Sequence, residues 1–142
     1  MKALLLVLDF INDIVHERGK IARSAGRVEA HQTIEHANQA IAWARQHHVP
    51  VAHVKVGFDK HYSECPASSP LFSAAPKYGA LQLGEWGTEF HEKLDVADED
   101  IVIEKHRVNA FYNTRLESIV KAQGIDTDIL FVVATNYPIE HT

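Results

Sequence analysis

The feature that most constrains this chain is the run Ala3 to Leu8, six apolar residues without a polar interruption, which ends abruptly at Asp9. A strand with no polar face suits burial on both sides, the usual condition of a central strand in a parallel sheet. Asp9 then falls at that strand's carboxyl end, and in open α/β sheets the ligand crevice lies outside those ends. A lone acid there stands where chemistry is expected.

The residues that follow extend the pattern. Ile14 to Gly26 mixes charge and glycine without a period, but Ile34, Ala37, Ile41 and Ala44 recur at helical spacing and predict an amphipathic helix from Val28 to His48. His47 and His48 are expected to cap its last carbonyls. Pro50 marks its end, and Val51 to Val56 reads as a second strand closing at Gly57. Gly57 to Trp86 spreads three glycines, three prolines and four serines over thirty residues with no apolar period. Loops of that length are functional or disordered, and its aromatics Phe58, Tyr62, Phe72, Tyr78 and Trp86 either cover a pocket or anchor the loop. A short helix is expected from Thr88 to Leu94, and a third strand from Ile101 to Ile103, closing at Glu104 and Lys105. Lys105 therefore ends a strand as Asp9 does. Thr114 and Glu117 have capping-box spacing ahead of Leu116, Ile119 and Val120, with Gly124 as the stop. Ile129 to Val133 supplies a fourth strand. Strand and helix alternating throughout imply a doubly wound parallel sheet, a Rossmann-like three-layer α/β/α arrangement.

At 142 residues the chain is expected to form one domain, residues 1–142. A formal net charge of -5 with no Lys/Arg run argues against nucleic acid or an anionic membrane as partner, which leaves a small molecule. Cys65 is the only cysteine, so no intrachain disulfide forms. It lies beside Pro66 in the long loop and reads as an ordinary loop residue. No signal-like segment precedes the first strand and no apolar stretch approaches the roughly 20 residues of a membrane span, so a cytoplasmic location is expected.

Three stretches then carry a resemblance: Asp9-Phe10-Ile11-Asn12-Asp13, then Lys105-His106-Arg107 with Ala110-Phe111 and Thr114-Arg115-Leu116, and Val133-Ala134-Thr135-Asn136-Tyr137. Their order and spacing resemble the isochorismatase-like hydrolases, the cysteine hydrolase family. Gly57-Phe58-Asp59 and Trp86-Gly87-Thr88-Glu89 resemble one branch of it. The resemblance implies a site of an aspartate, a lysine and a cysteine, each at the carboxyl end of a different strand. Asp9 and Lys105 match the first two. In that scheme the carboxylate takes the thiol proton, the ammonium favours the thiolate, and attack on an amide-like carbon gives an acyl-enzyme. Backbone N–H groups hold the oxyanion, here assigned to Ala134 and Tyr137, with a cis peptide expected at Val133–Ala134. Phe10, Trp86 and Tyr112 are assigned to substrate binding. No cofactor is implied. Asp59 and His61 resemble the D-x-H of the nicotinamidase metal site, but the third ligand has no match and no metal is expected. A homo-oligomer is implied.

The departures from the family carry equal weight. Pro138 occupies the position of the cysteine nucleophile, and proline also lacks the N–H that would serve an oxyanion. Val132 stands where glycine is common and Ile11 where glutamine is common. Family members usually continue for another helix and two strands, so the domain is expected to be C-terminally incomplete, its last strand buried by a subunit contact. The leading reading is a hydrolase of a small amide or related C–N bond, impaired in this chain by Pro138. One alternative is isochorismatase-type vinyl ether hydrolysis with Asp9 as acid, against which stands the lack of an arginine-rich cradle for a dicarboxylate, Arg107 and Arg115 being the only nearby candidates. The other is a non-catalytic remnant or interaction domain.

Overall fold

In the computed structural model, which describes residues 3–21, 31–65, 75–106, 114–125 and 128–134, the apolar run is strand β1 (Ala3–Leu8). Its residues Leu4 to Leu8 are between 0 and 2 % exposed, as a strand covered on both faces must be. The chain continues through a short helix α1 (Asn12–Val15), helix α2 (His31–Gln46), strand β2 (Val51–Val56), strand β3 (Ile101–Lys105), helix α3 (Leu116–Ala122) and strand β4 (Asp128–Val133). The four strands form one parallel sheet in the order β3-β2-β1-β4.

Alternation along β1 divides the core in two. Leu5 and Val7 pack with Ile34, Ala37, Ile41 and Ala44 of α2. Leu4, Leu6 and Leu8 pack with Leu116, Ile119 and Val120 of α3. The sheet is therefore covered by α2 on one face and α3 on the other, the doubly wound arrangement the alternation of elements predicts. The chain runs from β1 out to β3 on one side and returns to place β4 on the other. The strand order thus reverses beside β1, and Asp9 lies at that reversal.

Several local expectations change. No helix forms over Thr88 to Leu94. A single 3-10 turn, Trp86–Thr88, is followed by extended chain, because Glu89 and His91 pair with the segment after β1: Asn12 N–H donates to the Glu89 carbonyl and His91 N–H to the Phe10 carbonyl. Ile11 and Phe90 form an antiparallel bridge there. β3 runs two residues beyond Ile103, so Lys105 is its last residue. The capping box at Thr114 is shifted. Its hydroxyl accepts the Leu116 N–H at 3.2 Å, one residue earlier than a box requires, and α3 starts at Leu116. α1 has no periodic signal in the sequence. Residues 28–30 of the expected second helix lie outside the described residues, and His47 does cap α2, its Nδ1 donating to the Trp43 carbonyl. Of the loop aromatics, Phe58 is buried and Tyr62 donates its hydroxyl to the Ala80 carbonyl, so both anchor the loop. Tyr78 and Trp86 are exposed, and Phe72 lies outside the described residues.

On the α2 side, a buried polar network fastens β2 to the turn before β3. Asp100 accepts two hydrogen bonds from the Arg45 guanidinium, at 2.9 and 3.0 Å, and one from the Ala97 N–H at 2.9 Å. His53, wholly buried, lies 2.9 Å from the same carboxylate through Nε2, while its Nδ1 has no hydrogen-bond partner among the described residues. That unpaired Nδ1 suits a neutral ring, because a proton there would be a buried donor without an acceptor. Burial holds His53 below the usual histidine range, against the upward pull of Asp100. Burial also pushes Asp100 up, but Arg45, the Ala97 N–H and His53 together hold it below the ordinary carboxylate value.

Two predictions follow from this packing. Leu6→Ala should cost about 3 to 5 kcal/mol in urea unfolding, whereas Leu130→Ala on the half-exposed edge strand β4 should cost less than half as much. The second concerns pH. Both His53 and Asp100 are depressed in the folded chain, so the unfolded chain binds more protons. The stability they confer is present at neutral pH and is lost for His53 as pH falls below about 6.5, and for Asp100 below about 4. The urea midpoint should therefore drop between pH 7 and 5.5, and His53→Gln, which keeps a donor for Asp100 but cannot titrate, should flatten that slope. An unchanged slope in the variant would refute the assignment.

Candidate active site

Asp9 follows β1 directly, with a φ of 65° that side-chain-bearing residues seldom adopt. A left-handed residue of this kind costs about 1 to 2 kcal/mol and persists where surrounding bonds impose it. Three interactions do so. The Asp9 N–H donates to the Val54 carbonyl at 2.8 Å, Oδ1 accepts the Val56 N–H at 3.0 Å, and Oδ2 lies 3.1 Å from Nζ of Lys105.

The lysine reaches that carboxylate across a whole strand. β3 and β1 are not neighbours; β2 lies between them, and Lys105 is in register with Val56, whose N–H binds the other oxygen of Asp9. Two strand spacings are roughly 10 Å, a gap that two facing long side chains can close. The ammonium is more deeply buried than the carboxylate, with side chains 4 % and 16 % exposed. Such a pair holds its geometry tightly, since separating it would leave a charge in a poorly solvated place.

β4 reaches the same edge on the other side of β1, and Ala134 follows it. The Ala134 N–H, expected to serve an oxyanion, donates instead to the Leu8 carbonyl at 3.2 Å and extends the β1–β4 ladder. The cis peptide expected at Val133–Ala134 is not found, and among the described residues every peptide bond is trans. Tyr137, Pro138, Tyr112 and Arg107 lie outside the described residues. Phe10 is wholly buried in the core and shows no surface, while Trp86 is exposed beside α1, its carbonyl accepting from Asn12 Nδ2 at 2.9 Å. Arg115 donates to the Val102 carbonyl along β3 rather than facing the strand ends.

Two neighbours of the site carry roles the sequence reading did not assign. Asp13 is buried and accepts the Leu81 N–H at 2.8 Å and the Lys20 N–H at 3.1 Å, which fastens the long loop to α1. Gly87 packs against that carboxylate so closely that a Cβ would lie 2.0 Å from its Oδ2, so only glycine fits. The position of Asp13, four residues beyond Asp9, was visible; its partners are remote in sequence and were not. His106, next to Lys105, turns the other way. Its Nδ1 lies 2.6 Å from the Gly57 carbonyl and its Nε2 3.2 Å from Glu64.

Metal-type donors come together at one place among the described residues, His16, His91 and Glu92. Nδ1 of His16 accepts the Arg18 N–H and Nδ1 of His91 accepts the Lys93 N–H, both at 3.1 Å. A neutral ring accepting at Nδ1 carries its proton at Nε2, the reverse of the tautomer that an Nε2 metal ligand needs. The cluster therefore suits hydrogen bonding. The carboxylate of Asp59 is occupied by the Ser63 N–H and hydroxyl, whose bonds hold it below the usual range, so it caps a turn. A cavity of about 850 Å³ lined by Trp43, Pro50, Asp100, Gln123 and Leu130 opens at the amino ends of the strands, the opposite edge from Asp9.

Comparison with known proteins identifies relatives of the whole described fold. The sequence model of the isochorismatase domain matches residues 3–142. The ureidoacrylate amidohydrolase RutB of Acinetobacter baylyi is 31% identical over 121 residues, covering 77% of this chain and 49% of that protein. The isochorismatase family protein YecD of Escherichia coli O157:H7 is 31% identical over 126 residues, covering 89% and 65%. Among solved structures, N-carbamoylsarcosine amidase from Thermoplasma acidophilum superposes with a TM-score of 0.68 at 28% identity, covering 92% of this chain and 68% of that one. An isochorismatase family protein from Desulfovibrio vulgaris gives 0.74 at 25% identity, covering 89% and 64%. The chain thus spans about half to two thirds of the length of these relatives.

The unequal burial of the ion pair makes a measurable prediction. Asp9→Asn deprives the deeper ammonium of its counter-charge and should cost about 3 kcal/mol in chemical denaturation. Lys105→Met leaves Asp9 with its Val56 bond and some solvent, and should cost roughly half of that. The reverse order would show that the carboxylate, not the ammonium, is the buried partner.

Proposed function

Because the chain belongs to the isochorismatase family, we propose that its carboxyl edge is built to hydrolyse a small amide or related C–N bond, with Asp9 as base and Lys105 as the adjacent cation. The observation that carries this reading is the 3.1 Å contact of Asp9 and Lys105 at the reversal of strand order. Both oxygens of Asp9 accept, one from Val56 and one facing the ammonium, which is the arrangement of a base rather than of a proton donor. The names of two relatives, ureidoacrylate amidohydrolase and N-carbamoylsarcosine amidase, point to a ureido or carbamoyl group. The vinyl ether alternative gains nothing from Arg115, which is engaged along β3.

In the reaction so proposed, Asp9 accepts the proton of a thiol held beside Lys105, and the thiolate attacks the carbonyl carbon. Collapse of the tetrahedral adduct breaks the C–N bond, the amine leaves with the proton, and water then hydrolyses the thioester. Backbone N–H groups after Ala134, that of Tyr137 among them, are the proposed oxyanion donors. Pro138 offers neither thiol nor N–H, so the covalent step is impaired in this chain. The half-exposed Leu130 and Phe131 of the edge strand β4 support a homo-oligomer, and a cytoplasmic small-molecule role completes the reading.

Pro138→Cys supplies the thiol and an N–H together. One oxyanion donor alone is worth about 100- to 1,000-fold in rate, so turnover of a panel of small ureido acids and amides should appear plainly. Adding Asp9→Asn should abolish it. Turnover of isochorismate by the proline form, lost in Asp9→Asn, would overturn the proposal in favour of acid catalysis. Absence of turnover in every folded variant would leave the non-catalytic reading standing.

A further inference from the structure

Strand β4 ends the sheet on one side, and among the described residues no strand lies beyond it. Its side chains are uncovered on both faces. Leu130 is in register with Leu5, which packs against α2, and Phe131 with Leu6, which packs against α3, yet the two are 38 and 42 % exposed. A helix laid on either face would cover only one of them, whereas a strand added in the plane of the sheet flanks both. The backbone fits such an addition. The Ala134 N–H donates to the Leu8 carbonyl, and residues of a strand alternate in bonding direction, so Val132 and Leu130 also bond toward β1 while Ile129, Phe131 and Val133 turn their N–H and C=O outward.

The opposite edge is guarded. At β3 the Gly57 N–H donates to the Lys105 carbonyl, so Ile101 and Ile103 bond inward with Lys105, and Val102 and Glu104 turn outward. The Arg115 guanidinium takes the Val102 carbonyl at 2.6 Å, and Glu104 sets an exposed charge beside it. Covering and charge keep an edge from pairing with another chain, and Ile129 to Ala134 holds no charged residue. Contact of β4 with β3 of another copy is therefore opposed, and like edges are left to meet.

We propose that β4 pairs antiparallel with β4 of a second copy, about a two-fold axis at Phe131. Outward-turned residues must face outward-turned residues, which puts Phe131 opposite its own counterpart and Ile129 opposite Val133 as hydrogen-bonded pairs, with Leu130 opposite Val132 between them. Of the registers that meet this condition, the one centred on Phe131 pairs the longest stretch, Asp128 to Ala134, and sets Asp128, the strand's one charged residue, opposite Ala134. The pairing points the two carboxyl edges in opposite directions. The two Asp9–Lys105 pairs then stand at opposite ends of one continuous sheet, and neither is built from both copies. The inference rests on the homo-oligomer of the proposed function and on none of its chemistry.

The test begins with sedimentation velocity of the unaltered chain, which should give twice the 15.9 kDa chain mass at micromolar concentrations. Phe131→Asp sets two like charges directly opposite each other and should raise the dissociation constant at least about 10-fold, with the circular dichroism unchanged. Val102→Asp, at a matched exposure of 37 % on β3, should leave the dimer intact. Disulfide formation in a Cys65→Ser background reads the register. Phe131→Cys places two thiols on residues whose Cα atoms are about 5.5 Å apart, and should cross-link the copies under air oxidation. Leu130→Cys places them on a diagonal of about 7 to 8 Å, beyond the reach of a disulfide, and should not. A monomer at every practical concentration, a dimer that persists in Phe131→Asp or is lost in Val102→Asp, or cross-linking of Leu130→Cys as readily as of Phe131→Cys would each overturn the inference. Should Phe131→Asp fail to fold, the cross-linking pair still decides. No turnover enters these measurements, so their failure leaves the hydrolase reading to the Pro138→Cys assay, and an inactive Pro138→Cys protein leaves the dimer standing.

Discussion

Burial of β1 on both faces governs the architecture. Leu5 and Val7 can be covered only by a layer on one side and Leu4, Leu6 and Leu8 only by a layer on the other, so α2 and α3 must take opposite faces. With right-handed crossovers, helices on opposite faces send the chain to opposite sides of β1. The reversal of strand order therefore falls beside β1, and the residue that follows it is Asp9. Placement of the acid at the mouth of the sheet is a consequence of where leucines are buried.

The polar residues divide between the two ends of the sheet, and each group fastens strands that the apolar core alone leaves free to slide. At the amino end Arg45, Asp100 and His53 join α2, the turn before β3 and β2. At the carboxyl end Asp9, Val56 and Lys105 join β1, β2 and β3 through one carboxylate. The second network contains an exposed fraction and a left-handed backbone at its centre, features that stability alone does not call for. His106 extends it by one residue toward the loop that begins at Gly57, its Nδ1 meeting the Gly57 carbonyl at 2.6 Å.

Much of the fold was legible because burial leaves a periodic mark. A run with no polar gap announced a central strand, and the spacing of Ile34, Ala37, Ile41 and Ala44 announced the helix that covers one of its faces. Asp9 and Lys105 were legible as strand-end residues because each closes an apolar strand. What the sequence leaves open is contact between remote segments. The helix expected over Thr88 to Leu94 gave way to extended chain because Phe10 and Asn12 offer backbone partners that no local pattern records. Nothing in the sequence says that Lys105 crosses β2 to reach Asp9, that Asp13 binds the Leu81 N–H, or that His106 turns toward Gly57 and Glu64. Sequence periodicity determined the layers and the ends of the strands, because burial acts on each segment separately. Only the tertiary structure decided which charges meet, because that depends on strand order and register, properties of segments in pairs.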